Sequence, residues 1–485
     1  MNINKTKGRK IRIDCFAGGG GASEGARNAL HKEITIAINH DPAAILMHKT
    51  NHPDTLHLTE DIFQVDLWKY LKEDDEVEFM WGSPDCTSHS KAKGGQPRKR
   101  GLRVLPWSIY RLCLQIFEIT GRNPKILFME NVEEIQKWCP LDENGKPIKE
   151  LLGCCYQCFI EHMTRGEFQK DGRPLNCPKI CSDHCNDCMV TKEKYNKALG
   201  LAMGSKELVA ADYGAPTTRK RWYAVFRSDR QEIVFPKPTH NKLGYNGLLP
   251  WVPVSEVIDW TDLGRSIFTR KKPLAEATQN RIARGIKKYI VDNSNPFFVP
   301  EKKATSFLIQ YHGEQKEGDS RGQRLDEPIK TIDTSNRYRL VTAFITKFYK
   351  TGIGQGCDEP LHTITTSPGH FGLVSAFLIK YYGQGVGQKV NQPLGTIVTK
   401  DRFGLVNVVF TIAGEQYVIE DILFRMLKPE ELKLAQGFPK SYIINKDYTG
   451  KKYPVKEQVA RIGNSVVPIM AQVLIEANCQ ELIDE

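Results

Sequence analysis

Between residues 11 and 130 the chain alternates short apolar runs with segments of helical spacing. "KIRIDCFAGG" reads as a strand entering a glycine turn, and "GASEGARNALHK" places its apolar residues at helical intervals. "ITIAINHD" is a second strand and "PAAILMHKTNHP" a second helix. "VEFMWGSPDC" and "KILFMENV" are two further strands, separated by the helical "SIYRLCLQIFEITGR". This βαβα order predicts an α/β fold, a doubly wound and mostly parallel sheet with ligands at the carboxyl ends of its strands. A cysteine-rich segment from about 139 to 190 interrupts the pattern as an insertion, and "KELVAADYGAPTTRKRWYAVFR" then restores strand-like alternation.

From about 230 to 260 proline and glycine mark loops on the way to another unit. Three related segments follow: "FLIQYHG" from Phe307, "FITKFYKTG" from Phe344 and "FLIKYYGQG" from Phe377. Each has a partner, "DEPIKTIDTSNRYRLV", "DEPLHTITTSPGHFGLV" and "NQPLGTIVTKDRFGLV". Pro328, Pro360 and Pro393 fall 32 and 33 residues apart, a threefold repeat in which each copy is expected to form a pair of β strands. From about 420 the spacing turns helical again.

A chain of 485 residues exceeds one ordinary core, which predicts about two or three domains. The net charge of +11 suits a polyanionic partner without requiring one. No uninterrupted apolar run approaches the ~20 residues that span a bilayer, and the N-terminus leads directly into a strand, so neither membrane insertion nor a signal peptide is expected. Of 13 cysteines, seven lie between Cys154 and Cys188. Clustering of that kind in a reducing cytoplasm points to metal rather than disulfides.

Four motifs carry candidate chemistry. In "DCFAGGGGASEG" the glycines permit a tight turn and close backbone approach by a ligand, although plain turn chemistry reads equally well. Asp41 and Asp61, after the next strands, are placed to accept bonds from a ribose or an adenine; each also reads as a helix N-cap. Cys86 ends a predicted sheet strand, where this fold class places its active site. A buried structural thiol is the competing reading. From Cys86 to Phe117 there are seven Lys or Arg and no acid, which suits a lid over a phosphate backbone. "FMENV" ends the next strand with Glu130, and a cysteine and a glutamate on adjacent strand ends form a nucleophile and acid pair. In "RKR", Arg219 and Arg221 face one side of a strand and Lys220 the other.

In order and spacing these motifs resemble the DNA (cytosine-5)-methyltransferase family. "DCFAGGGGASEG" is similar to its glycine-rich cofactor motif, "GSPDC" to its nucleophile motif, "ENV" to its glutamate motif and "TTRKR" to its paired-arginine motif. "RMLKPEELKLAQGFP" and "RIGNSVVP" resemble its last two blocks. The resemblance implies a Rossmann-like fold dependent on S-adenosylmethionine and a reaction through a covalent adduct. Cys86 would add to carbon 6 of a flipped-out cytosine, Glu130 would engage nitrogen 3 and the amino group, and Arg219 and Arg221 would hold the base. The cofactor would be held by Phe16, Ala17, Gly18, Gly20, Gly21, Asn39, Asp41, Asp61, Ile62 and Pro84, with Asn464, Ser465 and Val466 returning from the C-terminus. The expected domains are a catalytic domain over 1–300, a β-rich target-recognition domain over 301–420 and a C-terminal segment over 421–485 that returns to the first. A monomer acting on double-stranded DNA in the cytoplasm of a bacterium, host-encoded or phage-encoded, is expected.

The chain departs from the family pattern at several positions. Asp85 precedes the nucleophile where proline is usual, and Thr87 and His89 replace a glutamine and a phenylalanine. Asn39 stands where the ribose-binding glutamate is expected, and Thr217 and Arg461 replace glutamines. The cysteines add a feature that the family core does not require. Cys155-x2-Cys158 and Cys185-x2-Cys188, with Cys177 and Cys181 between them, have the spacing of a structural zinc site. The repeat occupies the slot of the family's specificity domain; Arg321, Arg324, Arg337, Arg339, Lys400 and Arg402 lie in its turns as candidate DNA contacts. Two rival readings are a tRNA cytosine-5 methyltransferase, disfavoured by the large recognition segment, and a DNA-binding regulator without catalysis, disfavoured by the retained motifs.

Overall fold

β1 (Lys10–Cys15) lies inside a seven-stranded sheet whose neighbours are β2 (Ile36–Ile38), β3 (Leu56–Leu58), β4 (Glu76–Gly82), β5 (Ile126–Asn131), β6 (Ala202–Val209) and β7 (Lys220–Arg227). The order is β3-β2-β1-β4-β5-β7-β6. The first five strands run parallel, whereas β7 is antiparallel to β5 and β6. The mostly parallel, doubly wound sheet expected from the βαβα pattern is therefore present. The computed structural model describes residues 8–86, 88–89, 99–168, 175, 197–293, 295–300, 304–310, 322–335, 337–348, 377–380, 388–389, 403–406, 409–412 and 415–483.

Strands covered on both faces need apolar residues at nearly every position. Met80, Leu127 and Met129 face one layer, where they meet Trp107, Ile109, Leu112 and Ile116 of α4 (Pro106–Thr120). Their chain neighbours Phe79, Trp81, Ile126 and Phe128 face the other layer. That second layer is built from α1 (Gly21–Leu30) and α9 (Pro468–Asn478). α2 (Pro42–Asn51) begins with Pro42 in its first turn and Asp41 as N-cap, the Asp41 carboxylate accepting from the Ala43 N–H at 2.9 Å. α3 (Arg100–Arg103) precedes α4, and α5 (Cys154–Met163) lies within the inserted segment. Residues 455–478 are apolar enough on average to suggest a membrane span. They form two helices, α8 (Val455–Asn464) and α9, broken at Ser465–Val467, and most of their residues are buried.

The chain divides into two compact units. The first comprises Met1–Val252, Lys330–Ser335 and Leu432–Glu485, and the second Pro253–Ile329 and Asn336–Glu431. The division begins at Pro253, at the end of the proline- and glycine-rich stretch, and not near 300. The first unit also contains the short β8 (His240–Asn241) and β9 (Leu249–Pro250).

In the second unit, β10 (Arg265–Ser266), β11 (Ala304–Gln310), β12 (Gly322–Gln323), β13 (Tyr338–Phe348) and β18 (Glu415–Met426) form a sheet in the order β10-β18-β13-β11-β12. β17 (Val409–Ile412) pairs with β18. α6 (Glu276–Ile286) and the turn after it bury Ile282, Ile286 and Ile290 against Phe307, Ile309 and Val341. A separate sheet holds β14 (Phe377–Lys380), β15 (Gln388–Lys389) and β16 (Phe403–Val406).

The repeat is visible in the strand register. In the first copy Phe307 opposes Val341 and Leu308 opposes Gln323. In the third copy the equivalent Phe377 opposes Val406 and Leu378 opposes Gln388. Each of these copies is thus three strands, the expected pair plus a short two-residue strand, Gly322–Gln323 in the first copy and Gln388–Lys389 in the third. Most of the second copy, and Arg321, Lys400 and Arg402, lie outside the described residues. Arg324 is taken up locally by Asp326 and the Asn295 carbonyl.

α1 and α9 can approach closely because Gly25 has no side chain; a Cβ there would fall 2.7 Å from Ala471 Cβ and would also collide with the Pro468 carbonyl. Gly25→Val is expected to cost about 1–3 kcal/mol by overpacking, read as a lowered midpoint of thermal unfolding.

Candidate active site

The carboxyl end of β1 turns sharply. Phe16 has φ 67°, Gly18 has φ 50° and Gly20 has φ 84°, the last as N-cap of α1. The Ala17 carbonyl accepts from the Gly20 N–H at 2.8 Å, and the Ala17 N–H donates to the Ile38 carbonyl at 3.0 Å. Residues from the far end of the chain close over this loop. A Cβ on Gly19 would strike Ser465 Oγ, one on Gly20 the Tyr442 hydroxyl, and one on Gly21 the Val466 carbonyl. The Tyr442 hydroxyl donates to the Gly19 carbonyl at 2.8 Å, and Gln436 Nε2 donates to the Ser465 carbonyl at 3.0 Å. Phe16, Ala17, Gly18, Gly20 and Gly21 are therefore brought beside Ser465 and Val466, with Asn464 exposed next to them.

Asn39 and Asp41 form the turn after β2: Asn39 Oδ1 accepts from the Asp41 N–H at 2.9 Å. Part of the amide that replaces the expected carboxylate is thus used in shaping its own turn. Asp61 is exposed and accepts from the Phe63 N–H at 2.9 Å, while Ile62 is buried.

Cys86 is half-buried and follows β4 through Ser83, Pro84 and Asp85. The Pro84 carbonyl accepts from Asn131 Nδ2 at 3.0 Å, which ties the exit of β4 to the end of β5. Glu130, 6% exposed, lies on the same edge. Its Oε1 is 3.2 Å from Arg221 Nε and 3.7 Å from Arg219 Nη2. These contacts lack hydrogen-bond geometry, so Glu130 Oε1 and both arginine Nε atoms remain buried without hydrogen-bond partners. Arg219 is anchored by the Gly463 carbonyl at 3.1 Å, and the Arg219 N–H donates to Thr217 Oγ1 at 3.3 Å. Lys220 faces the opposite way and pairs with Glu133 and Glu207.

Burial raises the Cys86 thiol above its ordinary value. Arg221 opposes that rise most strongly, Glu130 adds to it, Arg219 lowers it and Asp85 adds a smaller upward push. Arg219 itself is pushed down to about 10, first by burial and then by Arg221. The resting site therefore holds a protonated thiol next to two cations that favour its ionised form.

One expectation needs correction. Arg103 and Arg111, counted with the basic loop, point inward: Arg103 donates to the Ser88 and Cys139 carbonyls and Arg111 to those of Phe63 and Val65. They brace the loop's base, and residues 87 and 90–98 lie outside the described residues. Cys155 and Cys158 are 0% and 2% exposed on the core face of α5, among Trp138, Phe159 and Met163. Cys177, Cys181, Cys185 and Cys188 lie outside the described residues, and among the described residues no group of three or more metal-binding side chains is found.

Residues 11–161 and 182–480 match the family model described as C-5 cytosine-specific DNA methylase. The chain belongs to that family. Among similar proteins, the Type II methyltransferase M.AgeI of Thalassovita gelatinovora is 27% identical over 233 residues, 47% of this chain and 42% of its own length. The Type II methyltransferase M.AquIA of Picosynechococcus is 25% identical over 239 residues, 48% of this chain and 77% of its own length. The match thus spans less than half of the first relative's length. The solved structure of the Entamoeba histolytica methyltransferase EhMeth aligns with 98% of this chain and 99% of its own at a TM-score of 0.45 and 13% identity.

In this member of the family, sequence reading missed Tyr442, Gln436 and Asp14 as parts of the candidate site. Gln436 stands within the quoted "QGFP" block, whereas no local pattern distinguishes Tyr442 from any surface tyrosine. Because Arg221 is the strongest influence lowering the Cys86 pKa, Arg221→Ala should move the pH midpoint of Cys86 alkylation upward. Asp85→Asn should move it down by less. Peptide mapping of iodoacetamide-treated protein across a pH series checks both.

Proposed function

We propose that this chain transfers the methyl group of S-adenosylmethionine to carbon 5 of a cytosine flipped out of a specific double-stranded DNA sequence, through a covalent adduct on Cys86. The observation that carries this reading is the meeting of Cys86, Glu130, Arg219 and Arg221 at one sheet edge, beside the glycine loop, in a member of this family.

The chemistry follows from the residue types. Carbon 5 of cytosine is a weak nucleophile until a group adds at carbon 6. Cys86 adds there as thiolate, with Arg221 and Arg219 stabilising the negative charge. Glu130 engages nitrogen 3 and the amino group, so that charge developing on the ring is neutralised as the adduct forms. The buried arginines hold Glu130 in place and help to fix the base. When bound, the cofactor supplies the electrophilic methyl group to carbon 5; that carbon then loses its proton, which re-forms the ring double bond and expels Cys86. Phe16, Ala17, Gly18, Gly20 and Gly21 would hold it with Ser465, Val466 and Asn464, while Asn39, Asp41, Asp61 and Ile62 would meet its ribose and adenine and Pro84 its reactive end. The fit is supported by a loop too tightly packed from behind for side chains and by the unpartnered Asp14 Oδ1 beneath it.

The second unit, with its repeat, is the proposed reader of the target sequence, with cytosine flipping completed at the first. The proposed setting is the cytoplasm, within a restriction–modification system of the kind to which Type II methyltransferases belong.

Expression in cells devoid of cytosine methylation, followed by bisulfite sequencing, should reveal protected cytosines in one or a few fixed contexts. Cys86→Ala should reduce methyl transfer by on the order of a thousandfold or more while leaving cofactor binding intact. Absence of protection by folded, cofactor-binding protein would overturn the reading.

A structural zinc held by cysteines between Cys155 and Cys188 rests on their spacing alone. Elemental analysis of the purified protein should find about one zinc per chain; none would leave Cys155 and Cys158 as core residues only.

A further inference from the structure

Beneath the glycine loop, side chains from β1, α1 and α2 and the His57 ring of β3 form one continuous hydrogen-bonded chain. Ser23 Oγ donates to Asp14 Oδ2 at 2.6 Å. His48 Nε2 is 2.8 Å from Ser23 Oγ, and His48 Nδ1 is 2.9 Å from His57 Nε2. Asp14, Ser23 and His48 are each 0% exposed, and only His57 at the outer end is part-exposed.

The proton count fixes the direction of this chain. The Ser23 hydroxyl has one proton and gives it to Asp14, so its oxygen accepts from His48 Nε2–H. Burial, then His52, His57 and Arg27, keep His48 far below its ordinary pKa and hence neutral. A neutral imidazole carries one N–H, so His48 Nδ1 must accept from His57 Nε2–H. Every donor therefore points toward Asp14.

The charged groups packed around the chain are already paired with one another. On α1, Glu24 pairs with Arg27; Glu33 accepts from His52, which caps the end of α2; Lys49 of α2 sits over the Tyr448 ring. The Tyr442 hydroxyl is committed to the Gly19 carbonyl. On the strands flanking β1, Asp14 opposes Ala37 and Trp81, which carry no charge. Among the described residues, Asp14 thus has Ser23 as its hydrogen-bonding partner and no cation pairs with it, and its Oδ1 is buried without a partner. Burial lifts its pKa to about 7 against the pull of the Ser23 bonds. An unneutralised carboxyl group under a loop that takes a cationic cofactor is an incomplete electrostatic arrangement until the cofactor arrives.

We propose that Ser23, His48 and His57 are positioning residues that hold Asp14 as the counter-charge to the cationic cofactor at the glycine loop and thereby set cofactor affinity. This rests on the cofactor named under the proposed function. A cation favours the carboxylate form, so affinity falls as the pH drops through the neutral range and Asp14 takes up a proton. Removing a donor to the carboxylate raises the Asp14 pKa, which shifts that fall to higher pH.

Calorimetric titration of the full DNA-free chain with S-adenosylmethionine between pH 6 and 9 tests this. Ser23→Ala and His48→Ala should each weaken binding roughly tenfold at pH 7, the scale of a lost hydrogen bond in a charge-supporting chain. Ser23→Ala should also move the acid-side loss of affinity to higher pH. His48→Gln, whose amide both donates and accepts, should stay within about threefold of the unaltered chain. Asp14→Asn should bind weakly with a flat pH profile. Folded Ser23→Ala and Asp14→Asn proteins, judged by cooperative melting, with unaltered affinity and pH midpoint would overturn the inference even if His48→Ala fails to fold. No binding by the unaltered chain would instead overturn the cofactor reading, and this inference with it.

Discussion

The first unit depends on one close approach, between the glycine loop after β1 and the segment Arg461–Val466 from the far end of the chain. Gly19, Gly20 and Gly21 meet Ser465 Oγ, the Tyr442 hydroxyl and the Val466 carbonyl with no room for a Cβ. That contact turns a glycine turn, which by itself is only permissive backbone, into a rigid wall. It also aligns α8 so that the Gly463 carbonyl anchors Arg219, which stands over Glu130. The glycine loop and the edge that carries Glu130 are thus connected through one C-terminal segment.

The edge that carries Cys86 is built on electrostatic tension. Burial alone would keep the Cys86 thiol protonated and inert, and Arg221 and Arg219 offset part of that penalty. Burial first, and then the crowding of the two arginines, make Arg219 bind its proton less firmly than a free guanidinium. Glu130 relieves the crowding without completing a hydrogen bond to either Nε, so polar capacity remains unused at this edge. Asp85, the departure that most unsettles the nucleophile motif, is a minor influence beside Arg221.

Much of the arrangement is legible in the residues themselves. The run from Ile126 to Asn131 is buried throughout because both sheet faces are covered, and an apolar string ending in Glu-Asn announces that. Arg219 and Arg221 share a face because strand side chains alternate. The repeat is legible as well, since Phe307–Val341 and Phe377–Val406 adopt equivalent register. The division at Pro253 was less legible, because loops rich in proline and glycine mark a transition without saying which side of it the core ends. Arg103 and Arg111 misled for a related reason: a run of basic residues reads as surface, yet each guanidinium satisfies buried backbone carbonyls.

By itself the sequence determined the element order, the edge of the sheet at which chemistry gathers and the residue types that carry it. Those properties follow from local periodicity and from the rule that parallel strands present their carboxyl ends together. Tertiary structure alone decided which distant groups complete the site. Tyr442 reaches the Gly19 carbonyl across more than four hundred residues, and His48 and His57 line up behind Asp14 only when α2 and β3 pack beside β1. Such partnerships depend on the direction in which each side chain leaves its element and on which groups burial leaves unsatisfied, and neither quantity exists until the chain has folded.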